Sequence, residues 1–158
     1  MENSEYIITK IPDVINGFGL KDDLYITDKR IVVIDLGHGR TDLGAFGLLG
    51  GLVSSALDKS NESRIKEWMK SHTLDEVVES NPLSIRIYYD DILQIKLQDS
   101  KSWWKNHKLE VMFFNTHHYK GEKPKKPTTF KYNLSKEQFE QLYDILPKID
   151  GLNGKLTI

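Results

Sequence analysis

An α+β fold follows from three features of the chain. Two runs rich in Tyr, Ile, Thr and Val lie on either side of the polar pair Asp28-Lys29 and together span Asp23 to Leu36. They read as a β-hairpin, because these residue types fit a pleated, half-buried surface. Directly after it the β pattern stops, and a glycine-rich apolar segment from Gly44 to Val53 begins. β patterning resumes near Ser84 and ends in an amphipathic helix that starts at Ser135. The expectation is a small β-fold with a helical insertion over 39–81 and a closing C-terminal helix.

At 158 residues the chain is expected to be a single domain. A net charge of −1 excludes a global field for nucleic acid or anionic membranes and leaves that work to local basic patches. No nucleic-acid partner is expected. The chain has no cysteine, so disulfides, thiol nucleophiles and thiolate metal sites are excluded, and a cytoplasmic location is expected. The first residues, Met1-Glu2-Asn3-Ser4-Glu5, lack the basic-then-apolar order of a secretory signal. The uncharged run from Leu43 to Leu57 would reach about 22 Å as a helix, short of the ~30 Å hydrocarbon core.

The elements are expected in this order. Tyr6–Ile11 is a strand that Pro12 ends, and Asn16-Gly17-Phe18-Gly19 is a loop. In the second strand of the hairpin, Val32, Ile34 and Leu36 share one face, and Ile31 and Val33 the other. Apolar residues on both faces predict a strand covered on both sides, with the inserted helices on one of them. Thr41 or Asp42 can N-cap a helix running to Leu57, and Asn61 to Lys70 continues in helical style. Thr73 with Glu76 fits a capping box for a short helix that Asn81-Pro82 stops. Ser84–Tyr89, Ile92–Gln98, Lys108–Phe114 and Thr128–Tyr132 read as strands, with Leu93, Ile95 and Leu97 on one face of the second. The pairs Asp22-Asp23 and Asp90-Asp91 read as turn formers. In the last helix, Ser135 and Gln138 form a capping box, and Phe139, Leu142, Tyr143 and Leu146 make the inward stripe. Pro147 must end or kink that helix.

Leu24-Tyr25-Ile26-Thr27-Asp28-Lys29-Arg30-Ile31 resembles the L-x-x-T-x-x-R-hydrophobic hairpin of the pleckstrin-homology-like (PH-like) superfamily, in its GRAM and bacterial PH branches. Ile87-Tyr88-Tyr89-Asp90-Asp91-Ile92-Leu93-Gln94-Ile95 is similar to the aromatic-acidic-isoleucine turn of those domains. The resemblance covers Leu20 to Leu36 and Ser84 to Leu146. It implies a partly open β-barrel of about seven strands plugged by the C-terminal helix. The chain departs from the simplest family form in its long insertion. It also lacks the basic cluster that phosphoinositide-binding members carry between their first two strands; 13–23 offers only Lys21 beside Asp22 and Asp23.

Fold does not specify function, so candidate surfaces are taken from the residues. Gly47, Gly51 and Ser55 are spaced four apart and form a smooth stripe on one helical face, with Leu48 and Leu52 beside it. Glycine costs about 1 kcal/mol relative to alanine inside a helix, so the stripe predicts close backbone contact: packing against the chain's own sheet, self-association or shallow membrane contact. A second candidate is the loop carrying Lys101, Trp103, Trp104 and Lys105, in which aromatics flanked by lysines suit a membrane interface. The alternative is that one indole caps the barrel and the other covers a neighbour. The third candidate is the loop with Lys120, Lys123, Lys125 and Lys126. At about 1 kcal/mol per charge it binds anionic surfaces weakly, and it needs the tryptophans at the same end of the barrel. His107, His117 and His118 lack carboxylates at ligand spacing, so neither metal nor cofactor is expected. With no nucleophile or acid–base pair in view, the expectation is a non-catalytic binding or scaffolding module. Its partner is first another protein or a second copy of itself, and alternatively the inner face of a membrane.

Overall fold

The computed structural model describes residues 5–36, 66, 67, 70–81, 84–115 and 126–158. Within them lie β1 (Ile7–Asn16), β2 (Lys21–Thr27), β3 (Arg30–Asp35), α1 (Leu74–Ser80), β4 (Ile85–Tyr88), β5 (Ile92–Gln98), β6 (His107–Phe113), β7 (Thr128–Leu134), α2 (Lys136–Ile145) and β8 (Leu156–Thr157). The fold is α+β. The strands form one eight-stranded sheet in the order β4-β3-β2-β1-β7-β6-β5-β8. Among the described residues the sheet is open: β4 pairs only with β3, and β8 only with β5. All pairings are antiparallel except β5 with β8, which run parallel. The short β8 strand was not evident in the sequence, because two residues carry no periodicity.

The β2–β3 hairpin forms as the sequence predicts, with its turn at Asp28-Lys29. Thr27 closes the turn: its hydroxyl accepts the N–H groups of Lys29 (3.1 Å) and Arg30 (3.0 Å). β3 is buried along its whole length. Ile31 and Val33 enter the main core, while Val32, Ile34 and Leu36 pack with Val77 and Val78 of α1. The inserted segment thus covers the second face of β3. The capping box of α1 is present, with Thr73 Oγ1 accepting from Glu76 N–H and Glu76 accepting from Thr73 N–H.

Three expectations are corrected. Pro12 does not end β1; the strand runs on to Asn16, with a register shift against β2 between Ile11 and Val14. A bulge needs no donor at the proline, and Asp13 adopts φ +57°, a conformation that Asp tolerates better than most residues. The irregular backbone is held from outside. Asp13 N–H donates to Asp23 Oδ1 (2.9 Å), and Gln138 Nε2 of α2 donates to the Pro12 carbonyl (2.6 Å). Leu93 does not face inward, because a register shift between Ile92 and Gln94 turns it out to 45% exposure, and Ile92, Ile95 and Leu97 fill the core instead. Tyr143 is likewise 53% exposed, so the residues of the expected stripe that reach the core are Phe139 and Leu142 of α2 and, just past the helix, Leu146.

α2 closes the main core. Ser135 and Gln138 cap it as expected. Gln141 Nε2 donates to Thr9 Oγ1 (2.6 Å) and to the Lys10 carbonyl (3.0 Å), tying the helix to β1. The α-helix ends at Ile145, and the chain passes through a 3₁₀ turn at Leu146–Lys148, where Pro147 is tolerated.

Candidate functional site

The β5–β6 hairpin loop brings Lys101, Trp103, Trp104 and Lys105 to one exposed tip. Trp103 is 92% and Trp104 67% exposed. The expectation that one indole caps the barrel is therefore overturned. The rings instead meet edge to face, with centroids 5.6 Å apart at 85°, a favoured aromatic geometry.

The loop is ordered from its base. Ser100 N–H donates to His107 Nδ1 (3.1 Å), and Asp99 Oδ1 lies 2.9 Å from the same nitrogen. The His107 ring stacks on Phe139 of α2, with centroids 4.6 Å apart. Nearer the tip, Ser100 Oγ donates to the Ser102 carbonyl (3.1 Å), and so does Lys105 N–H (3.1 Å). His107 therefore has a packing and positioning role. Beside Trp104 lies a shallow polar cleft of about 520 Å³ lined in part by Lys105, Lys108 and Asn133. The tip carries three lysines against one carboxylate: Lys101, Lys105 and Lys108, with Asp99.

The second lysine loop does not join this site. The β6–β7 register pairs His107 with Leu134 at one end and Phe113 with Thr128 at the other. The tryptophans precede His107, and Lys126 precedes Thr128. The seven residues of β6 separate the two ends by ~20 Å. Consecutive antiparallel hairpins turn at opposite ends, so this separation was legible in the strand order. Lys126 is exposed, whereas Lys123 and Lys125 lie outside the described residues. The small-residue stripe, Gly47, Leu48, Gly51, Leu52 and Ser55, lies outside them too.

Arg30 is buried and fully engaged. Its guanidinium makes a two-pronged contact with Glu5, Nε to Oε1 at 2.8 Å and Nη2 to Oε2 at 2.7 Å. Nη2 also reaches Asp75 Oδ1 of α1 at 2.8 Å. Burial opposes the charge on Arg30, but the hydrogen bonds it donates to Glu5 and Asp75 outweigh it and raise its pKa. The Thr and Arg of the hairpin motif thus close a turn and fasten the N-terminal segment and α1.

Comparison with family models, curated proteins and solved structures finds no match to this chain. Among the described residues, no group of three or more His, Asp or Glu side chains is placed to hold a metal, and no helix is long and apolar enough to cross a membrane.

Sequence reasoning misplaced one acidic pair. Asp22 and Asp23 belong to β2 and are buried, rather than forming a turn. Their side chains part to opposite faces. Asp23 pairs with Lys10 (3.0 Å), whereas Asp22 sits opposite Asp35 of β3 at the rim of the main core. Counting outward from the Asp28-Lys29 turn would have found that register.

Proposed function

We propose that this protein is a non-catalytic binding module of PH/GRAM-like architecture that docks peripherally on anionic membranes through its Trp103–Trp104 loop. The observation carrying the reading is the exposure of two adjacent indoles, 92% and 67%, on a loop ordered from its base. Indoles with a lysine fringe suit the headgroup level of a bilayer. Inserting about 100 Å² of each ring is worth about 5 kcal/mol at ~25 cal/mol per Å². The net charge of the tip adds about 2 kcal/mol. Prior ordering of the loop lowers the entropic cost of docking. The architectural part of the proposal draws on the run β4-β3-β2-β1-β7-β6-β5, the closing helix and the two sequence motifs.

The test is co-sedimentation with phosphatidylserine/phosphatidylcholine vesicles and with phosphatidylcholine alone, at low and moderate salt. Salt-sensitive pelleting with the anionic vesicles, lost in Trp103→Ser/Trp104→Ser, is the expected result. No pelleting by the wild type, or pelleting unchanged in the double variant, overturns the reading.

A further inference from the structure

The register of β5, β6 and β7 lines up Gln98, Lys108 and Asn133 on one rung. Directly opposed residues of neighbouring strands share a face of the sheet. The adjacent rung, Leu97, Leu109 and Tyr132, enters the main core. Side chains alternate along a strand, so the Gln98–Lys108–Asn133 rung projects from the opposite face. Together with Trp104, Lys105 and Asn106 of the loop, it lines the cleft of about 520 Å³. A polar cationic recess thus adjoins the exposed indoles, a volume in the range of small-molecule pockets.

The charges of this recess are uncommitted within the chain. Among the described residues, neither Lys105 nor Lys108 has a side-chain ion pair or hydrogen bond. Lys10 and Lys131, on neighbouring strands, each face a carboxylate. The one carboxylate that lines the cleft, Asp99, lies 2.9 Å from His107 Nδ1. Two ammonium groups therefore share one recess with the donor amides of Asn106, Asn133 and Gln98.

We infer that this cleft binds the phosphomonoester headgroup of a lipid. A phosphomonoester carries a charge of about −1.5 to −2 near pH 7 and three oxygens that accept hydrogen bonds. Two ammonium groups, each with three donors, match that charge and those acceptors, and lysine serves as a point-charge ligand of phosphate. A phosphodiester headgroup brings one negative charge on its phosphate and fits the pair less well. The inference rests on the docking reading of the Trp103–Trp104 loop: with the indoles at headgroup level, the adjoining cleft meets lipid phosphate. That contiguity with Trp104 selects a lipid over a free phosphate as the source.

The experiment pelletes the full chain with phosphatidylcholine vesicles that contain either phosphatidic acid or phosphatidylserine, adjusted to equal zeta potential. Half-maximal pelleting should need about fivefold less phosphatidic acid than phosphatidylserine, the effect of roughly one further charge contact at a surface. Lys108→Gln should weaken binding to both and bring the ratio to one. Lys101→Gln, which removes a charge from the tip but not from the cleft, should weaken both and keep the ratio. Pelleting with both lipids at a wild-type ratio of one overturns this inference and leaves the docking reading standing, whereas pelleting with neither overturns both. A ratio that survives Lys108→Gln, or that Lys101→Gln abolishes equally, also overturns the assignment to the cleft. Calorimetry with glycerol 3-phosphate tests the source: affinity as tight as for the vesicles shows that the cleft reads a free phosphomonoester, which overturns the lipid assignment.

Discussion

Arg30 on β3 and Asp75 on α1 meet at 2.8 Å, and through this contact the inserted segment is fastened to the sheet. Glu5 approaches the same guanidinium from the N-terminal side, and Arg86 on β4 reaches Asp75 at 3.2 Å. Glu5 and Asp75, from two separate stretches of chain, thus converge on one buried cation. Breaking a buried pair by removing one partner costs roughly 3–5 kcal/mol. Arg30→Met should fall toward the low end, because Glu5 and Asp75 can recover water, and urea denaturation measures it.

The same cluster sets a pH dependence. Burial alone would raise the Glu5 carboxyl, but hydrogen bonds from Arg30 and Thr27 bring it below its usual 4.5. The hydrogen bond from Arg30 holds Asp75 below its usual 3.8. Carboxyls depressed in the folded state contribute stability that is complete above their unfolded values and lost as pH falls through their folded ones. Wild-type stability should therefore decline between about pH 5 and pH 3, and the decline should be shallower in Arg30→Met. Denaturation curves at several pH values decide this, and parallel declines would show that the cluster does not contribute.

Gly151 lies against Tyr89, and a Cβ at that position would come within 2.8 Å of the Tyr89 Cβ. Neither atom is the end of a flexible side chain, so the backbone must move. Gly151→Ala should destabilise by about 1–3 kcal/mol. Tyr89→Phe removes the hydrogen bond that the buried Tyr89 hydroxyl donates to the Thr27 carbonyl, and should cost about 1–3 kcal/mol for the acceptor left behind. Thermal melts of the two variants test both.

Ser135 caps α2 by accepting the N–H of Gln138 at 3.2 Å. Ser135→Ala should lower stability by about 1 kcal/mol. Because α2 closes the main core, the loss should appear in global unfolding rather than in local fraying, and hydrogen exchange distinguishes the two.

Trp103→Ser/Trp104→Ser should leave stability within about 0.5 kcal/mol of wild type, since both side chains are largely solvated. A large loss in a denaturation experiment would show that the rings support the fold, which the docking role does not require.

The α+β class, the β2–β3 hairpin and both capping boxes were determined by the sequence alone. Each rests on short-range chemistry: a two-residue polar turn, a side chain three residues from its amide partner, or an alternation within one strand. The covered second face of β3 was also legible, because apolar residues on both sides of a strand require two layers. Tertiary structure decided what depends on how strands meet. Register shifts in β1 and β5 carried the chain past Pro12 and turned Leu93 outward, since a strand's partner, not its own alternation, sets which residue faces in. The acidic rung of Asp22 and Asp35 gathers Tyr132, Phe130 and Phe18 around it only because the sheet sets β7 beside β1. No local pattern joins residues more than a hundred positions apart; packing does.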